Sequence, residues 1–156
     1  MTAREKIINI ARVEVGNKEN PKESNLQKYG EWFGLNGYAW CAMFVSWVFS
    51  KSECPLPKID RDKGFCGVQT GYNFWNKAGM FTTTPQPGDI VLFDWQNDKH
   101  YDHTGIFLHD NGNGTFSTIE GNTSIGNDSN GGQVMIRKRN YNVAKFVDVT
   151  KYLHEN

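Results

Sequence analysis

Cys41 lies in the stretch Tyr38–Trp47, which reads YAWCAMFVSW, and its thiol is either a core group or a nucleophile. A small thiol inside an apolar run is most often a packing residue. Cys41, however, falls at the start of a predicted helix, after the loop sequence GLNG at residues 34–37. The positive end of a helix dipole favours the thiolate, which is the nucleophilic form of a cysteine. The residues alone therefore leave both roles open.

A catalytic thiolate needs a neighbouring base, and histidine is a common choice. His103 lies in the segment DHTGI at the start of a predicted strand, which would hold its ring in a fixed orientation. His100 lies just before it in a polar loop and is the alternative. His109 leads into a predicted hairpin turn and His154 is close to the C-terminus, so neither is favoured. For all four, the non-catalytic interpretation is an ordinary surface or hydrogen-bonded histidine.

Glu120 and Asn122, in the segment TIEGN, are candidates for the group that orients the base. Glu120 ends a strand that is predicted to pair with the strand of His103 across a turn at residues 110–114. Adjacent antiparallel strands place such residues beside each other. Glu120 would then accept a hydrogen bond from one ring nitrogen and leave the other facing Cys41. Asn122 would do the same more weakly or add a polar contact. The alternative is a strand-end carboxylate and a turn asparagine without a catalytic role.

Helices and strands predicted from the sequence pattern must position these residues. Thr2 and Glu5 form a capping box that starts the first helix, and residues 17–30 are polar and predict a loop or short helical turns. Further helices are predicted over 40–49 and 68–77, and strands over 90–93, 104–108, 115–120, 134–137 and 145–149. Helices first and strands second indicate an α+β fold with an antiparallel sheet. We see no repeat or linker, so residues 1–156 are expected to form a single domain.

Composition excludes several classes of function. The 156 residues contain 17 Lys+Arg and 17 Asp+Glu, so the formal net charge is zero, which argues against a nucleic-acid partner. The N-terminus has no apolar signal region, and no apolar run reaches membrane-spanning length. We therefore expect a chain that is made in the cytoplasm and does not insert into a membrane. Of three cysteines, Cys54 and Cys66 either pair or stay free, and their spacing to Cys41 matches no zinc pattern.

The segments WCAMFVSW, PGDIVLF, DHTGI and IEGNT occur in this order. Together they resemble the CHAP domain family of cysteine, histidine-dependent amidohydrolases/peptidases, which are papain-like hydrolases of the NlpC type. The resemblance runs from about Tyr29 to Asp148. It implies a nucleophile at Cys41, a base at His103 and orienting residues at Glu120 and Asn122. It also implies a papain-like fold, with N-terminal helices packed on a C-terminal antiparallel sheet.

The resemblance further implies activity on bacterial peptidoglycan. Members of the family cleave either the bond between muramic acid and the stem peptide or bonds within the stem and cross-bridge peptides, and many are phage endolysins. We accordingly expect an endolysin, or its catalytic domain, that acts as a monomer on the cell wall after release. Many lysins carry a second, wall-binding domain. This chain ends soon after the catalytic segments, so it is either a complete small hydrolase or a catalytic fragment.

No cofactor is predicted, although some members of the family bind calcium through acidic residues before the nucleophile. Here Glu31 is the only acidic residue among the ten before Cys41. Residues 60–64 (DRDKG) and 127–130 (NDSN) are loosely calcium-like but lack the full loop pattern. Solvated turns are the favoured interpretation of both segments, and no metal ligand is assigned.

Several aromatic residues are candidates for contact with substrate. Tyr38 is a candidate oxyanion donor beside the Cys41 backbone N–H, and Trp40, Trp95 and Tyr101 are candidates for a binding groove, with the core as an equal alternative for Trp40. Two other functions stay possible at this level. One is a non-catalytic module that binds cell-wall polymers, which would need none of the Cys, His and Glu residues. The other is a cytosolic amidase that acts on small peptide conjugates.

Overall fold

The first helix begins at the predicted capping box. In the computed structural model, which describes residues 1–154, the Thr2 hydroxyl accepts a hydrogen bond from the Glu5 backbone, and the Glu5 carboxylate accepts one from the Thr2 backbone. The α-helices of this described range are α1 (Ala3–Val13), α2 (Lys28–Phe33), α3 (Cys41–Lys51) and α4 (Val68–Ala78). Residues 17–27 form turns and irregular loop, one of the two alternatives predicted for residues 17–30, whereas α2 was not predicted as a helix.

The sheet follows the helices in the chain. Its strands, within residues 1–154, are β1 (Phe81–Thr82), β2 (Ile90–Phe93), β3 (His103–Asp110), β4 (Thr115–Thr123), β5 (Gln133–Asn140) and β6 (Ala144–Val147). They pair antiparallel in the order β1-β6-β2-β3-β4-β5. The predicted α+β fold with an antiparallel sheet is confirmed. Only β1 was not predicted, because a strand of two residues carries too little sequence pattern.

The two faces of the sheet bury different sets of side chains. The face toward α3 contributes aliphatic residues such as Ile106 and Ile119 to the main core. The opposite face carries a second cluster, formed by Val91, Phe93, Phe107, Phe116 and Phe146. The helix α3 itself carries buried, mostly apolar residues on nearly all of its sides, which is typical of a buried helix.

Gly121 in β4 allows α3 to approach the sheet closely. A Cβ at this position would lie 2.7 Å from the Cβ of Phe44 and 2.9 Å from the ring of Trp40. Such distances are shorter than van der Waals contact, so any larger residue would push the helix outward. The position of Cys41 relative to the sheet therefore depends on this glycine.

No helix within residues 1–154 has both the length and the apolar character needed to cross a bilayer. All three cysteines, Cys41, Cys54 and Cys66, are free thiols, so the pairing considered for Cys54 and Cys66 is absent. The assignment of the whole chain to one domain stays a prediction.

Candidate active site

Cys41 is the first residue of α3 and is almost completely buried, with 6% of its surface exposed. Trp40 is the N-cap residue, and its side chain makes no capping hydrogen bond. The first N–H groups of a helix have no intrahelical partner. The thiol therefore lies next to backbone donors that are available to a developing negative charge.

The His103 ring is fully buried and is oriented by Glu120. Its Nε2 lies 2.8 Å from Oε1 of Glu120, in the contact expected from the sequence. An ionised carboxylate only accepts hydrogen bonds, so Nε2 carries the proton. Within the described residues, Nδ1 is buried without a hydrogen bond of regular geometry. Nδ1 is thus the ring nitrogen left for Cys41.

The charge state of His103 depends on both of its neighbours. Burial by itself lowers the pKa of the imidazole, but the interaction with Cys41, followed by the hydrogen bond and charge of Glu120, outweighs burial and raises the pKa to about 9. The ring therefore holds its second proton at neutral pH. His103 is the first residue of β3, so its ring lies at a strand end, and the effect of Cys41 on the His103 pKa indicates that the thiol at the start of α3 lies beside the ring.

Glu120 reaches His103 because Gly105 leaves room for its side chain. The register pairs Ile106 with Ile119, so Gly105 and Glu120 are the next residues to face each other. A Cβ on Gly105 would lie only 2.6 Å from Cγ of Glu120. The Glu120 side chain passes over Gly105, so its carboxylate reaches His103. The carboxylate also accepts a hydrogen bond from the Thr118 hydroxyl at 2.6 Å.

Replacement of Gly105 by alanine should displace Glu120 from His103. The added methyl group cannot fit beside Cγ of Glu120 unless the buried carboxylate moves, and overpacking of this kind typically costs about 1 to 3 kcal/mol. We expect a lower free energy of unfolding in urea and weakened hydrolysis. As a control, Gly112→Ala lies in the open hairpin turn, where a Cβ meets nothing within 4 Å. Alanine at Gly112 is strained by the positive φ of 81°, so both activities are corrected for the folded fraction. Equal corrected losses in the two variants would contradict this steric role.

Arg139 is the residue of this site that sequence reasoning missed. Its Nε donates to Oε2 of Glu120 at 2.9 Å, and its Nη2 donates to Oε1 at 2.6 Å. Burial on its own raises the pKa of Glu120, but the hydrogen bonds and charges of Arg139 and His103 hold it at about 2. The strand predicted over residues 134–137 ended before Arg139, whereas β5 continues to Asn140. The alternation of Arg137 and Arg139 on one strand face was the signal available.

Asn122 is buried but does not lie on the imidazole. Its Oδ1 accepts a hydrogen bond from the Gly132 backbone at 3.1 Å, and its Nδ2 donates to Oδ1 of Asn130 at 3.3 Å. The strand pairing is irregular between Glu120 and Thr123, and Asn122 adopts a left-handed φ of 59°. The Asn122 amide thus holds the loop that follows β4 through hydrogen bonds to Asn130 and Gly132. A catalytic role for Asn122 stays a prediction.

The other histidines lie apart from the Glu120 carboxylate. His100, the alternative base, has a mostly exposed side chain with Nδ1 3.3 Å from Oδ1 of Asp102. His109 is exposed beside the hairpin turn, and the His154 backbone donates to the sulfur of Cys54. The structure thus brings together Cys41, His103 and Glu120, and leaves the remaining histidines outside this cluster.

The aromatic candidates occupy different environments. Trp40 is fully buried and stacks on Tyr29 with ring centroids 5.4 Å apart, which favours the core alternative. Tyr38 is 64% exposed just before α3. Trp95 is half-buried, and Tyr101 stacks on Tyr72 at 4.1 Å. Contact of Tyr38, Trp95 or Tyr101 with substrate stays a prediction.

The calcium-like segments have other contacts. Asp60 accepts hydrogen bonds from the backbone N–H groups of Cys66 and Gly67, just before α4, and Asp128 pairs with Arg137 and Arg139. Across residues 1–154, no group of three or more His, Cys, Asp or Glu side chains converges in a way that would hold a metal ion.

The sequence profile of the CHAP domain matches residues 33–122, which include Cys41, His103, Glu120 and Asn122. The chain belongs to the CHAP family. The family match covers α3, α4, β1, β2, β3 and most of β4, whereas Arg139 lies beyond it. Comparison with curated proteins gave no match.

Solved structures show the same fold as this CHAP protein. The N-acetylmuramoyl-L-alanine amidase from Staphylococcus aureus aligns over 72% of this chain and 30% of its own, with 14% identity and a TM-score of 0.50. The wild-type endolysin LysIME-EF1 aligns over 94% of this chain and 63% of its own, with 13% identity and a TM-score of 0.57. This chain therefore spans less than two thirds of either relative.

Proposed function

We propose that this CHAP protein hydrolyses an amide bond of bacterial peptidoglycan through a thioester on Cys41. The observation that carries the proposal is the fully buried His103, which has one ring nitrogen bound to Glu120 and the other left for the thiol at the start of α3. Family membership and the fold shared with an amidase and an endolysin support peptidoglycan as the substrate. We further propose that the protein reaches the cell wall after release and lyses the bacterium as a monomer, without a cofactor.

The reaction would proceed in two steps. The Cys41 thiolate attacks the amide carbonyl carbon, a C–S bond forms, and the C–N bond breaks as the imidazolium of His103 gives its proton to the departing amine. The neutral imidazole then takes a proton from water, whose oxygen attacks the thioester carbonyl carbon. The C–S bond breaks, the thiolate is released, and the carboxylic acid product loses its remaining proton to solvent. Glu120 keeps the ring oriented throughout.

The oxyanion formed in each step would be met by the backbone N–H of Cys41, which begins α3. A second donor is expected upstream, where Tyr38 is the candidate. Removal of one oxyanion donor typically lowers kcat by about 10²- to 10³-fold. Tyr38→Phe separates a role of the phenol group from a role of the backbone, because only the hydroxyl is lost.

Purified peptidoglycan provides the direct test of this function. Incubation with the protein, followed by mass spectrometry of the released fragments, should show cleavage with the wild-type protein and none with Cys41→Ala. A new N-terminal L-alanine would identify an N-acetylmuramoyl-L-alanine amidase, whereas other new amino termini would identify an endopeptidase. Binding to the wall without released fragments would indicate a binding module instead. Cleavage of small peptide amides alone would indicate a small-substrate amidase.

A further inference from the structure

We infer that Arg139 is a positioning residue of this site: its guanidinium fixes the Glu120 carboxylate and, through it, the His103 ring. This inference rests on the proposed function of Cys41 and His103. It extends the site from β3 and β4 to a third strand, β5. Arg139 also lies outside the part of the chain that matches the CHAP profile.

Arg139 binds Glu120 through two parallel hydrogen bonds. Nε donates to Oε2 at 2.9 Å and Nη2 donates to Oε1 at 2.6 Å, and both side chains are buried. A fork of this kind fixes the plane of a carboxylate as well as its position. The Oε1 atom that receives Nη2 also receives Nε2 of His103 at 2.8 Å. The orientation of the imidazole is therefore tied to the orientation of the guanidinium.

The position of Arg139 is itself fixed from two sides. Its Nη1 donates to Oδ1 of Asp128 at 2.8 Å, so each nitrogen of the guanidinium has a partner. The guanidinium carbon lies 4.8 Å from the ring centroid of Trp95 and 5.6 Å from that of Phe93. The same two rings lie about as close to His103, at 5.9 Å and 6.0 Å between centroids. Arg139 and His103 thus share one aromatic surface.

The charges around Glu120 give Arg139 a functional consequence. Glu120 faces His103 from β3 and Arg139 from β5, Cys41 of α3 lies on the other side of the imidazole, and Asp128 lies beyond Arg139. A buried carboxylate that loses its cationic partner binds a proton more readily. A protonated Glu120 would no longer balance the imidazolium, and the imidazolium would favour the thiolate less. Arg139 should therefore extend the active form of the site to lower pH.

The test compares Arg139→Met and Arg139→Lys with the wild-type protein and with Arg137→Met. Arg137 is a matched control because it lies two residues away on the same strand and also binds Asp128, at 2.9 Å. Within the described residues, its other partners are Thr123 and Ser124 rather than Glu120. The measurement is the rate of Cys41 alkylation by iodoacetamide as a function of pH, with the labelled residue identified by peptide mass spectrometry.

The acidic limb is the pH range in which the rate of Cys41 alkylation rises with pH. We expect this limb to move to higher pH in Arg139→Met. The shift should be smaller in Arg139→Lys, which keeps the positive charge but cannot make the two parallel hydrogen bonds to Glu120. Arg137→Met should keep the wild-type limb. On soluble peptidoglycan fragments, Arg139→Met should lower kcat by about 10- to 100-fold, by analogy with the loss of groups that orient metal-bound histidines. KM should stay unchanged because Arg139 is buried. Above the His103 pKa of about 9, where the ring is neutral, imidazole ¹⁵N spectra of Arg139→Met should show a smaller fraction of the Nε2–H tautomer than those of the wild-type protein.

An acidic limb that coincides with the wild-type limb in both Arg139 variants would overturn the inference, as would an equal shift in Arg137→Met. If Arg139→Met does not fold, the limb of Arg139→Lys decides between the two outcomes. Alkylation needs no peptidoglycan. If the acidic limb shifts in the Arg139 variants but the wild-type protein does not hydrolyse peptidoglycan, the role of Arg139 is upheld and the proposed function is rejected.

Discussion

Replacement of Cys41 by alanine should abolish peptidoglycan hydrolysis and leave the fold intact. The thiol is the proposed nucleophile, and removing the nucleophile of a catalytic unit lowers kcat by about a millionfold. The loss of one sulfur atom at a helix start should be tolerated, since alanine is a good helix former. The measurement is fragment release by mass spectrometry, with circular dichroism and thermal unfolding as the check on folding.

The other two thiols provide the controls for Cys41. Cys54 is buried, and its sulfur accepts a hydrogen bond from the backbone N–H of His154. Cys66 lies in the loop before α4, where burial raises the pKa of its thiol. Cys54→Ser and Cys66→Ser should keep most of the activity. An active Cys41→Ser protein together with an inactive variant at either other position would refute the assignment of the nucleophile.

Replacement of His103 by alanine should lower kcat by about 10²- to 10⁴-fold, the usual contribution of a general acid–base group. His100→Ala should cost far less, because the His100 side chain is mostly exposed and interacts with Asp102 instead of Glu120. Since His103→Ala also leaves Glu120 with fewer partners, His103→Gln is a second variant that retains an amide donor. Steady-state rates, corrected for the folded fraction, measure both effects.

The pH dependence of the wild-type enzyme gives an independent check on His103. The raised pKa of about 9 keeps the imidazole protonated through neutral pH. As pH rises through this value, the ring loses the proton that it would give to the departing amine, so activity should fall on the alkaline side near pH 9. His100→Ala should leave this limb in place. A limb that moves in His100→Ala but not in His103→Gln would assign the base to the loop.

Local sequence signals were enough to predict the elements that carry Cys41, His103 and Glu120. The helix start, the strand before a Thr-Gly pair and the hairpin turn each depend on neighbouring residues. The register between β3 and β4, by contrast, shifts between Phe107 and His109, so the pairing at the turn does not by itself give the pairing beside His103. That the strands of His103 and Glu120 lie next to each other could be predicted without the structure, whereas the register that joins the two side chains could not.

The remaining features depend on distant parts of the chain. Asn122 is directed toward Gly132 by an irregularity in the pairing of β4 and β5, which no spacing in the sequence reveals. Arg139 binds Glu120 only because β5 extends to Asn140 and returns beside β4. Trp40 is a core residue because Tyr29 of α2 stacks on it and Gly121 of β4 lies against its ring.

The strands β3, β4 and β5 form one continuous stretch of chain, residues 103–140, and this stretch contains His103, Glu120 and Arg139. Neighbouring strands with short connections assemble early and open together. The proposed base and its anionic and cationic partners therefore belong to one cooperative unit, whereas the proposed nucleophile lies on a separate helix, α3. A local opening that separates α3 from the sheet would abolish activity, while the contacts among His103, Glu120 and Arg139 would stay in place. Catalytic activity is thus a measure of whether α3 is packed on the sheet. Amide hydrogen exchange measured in strands β3 to β5 would not detect the separation of α3.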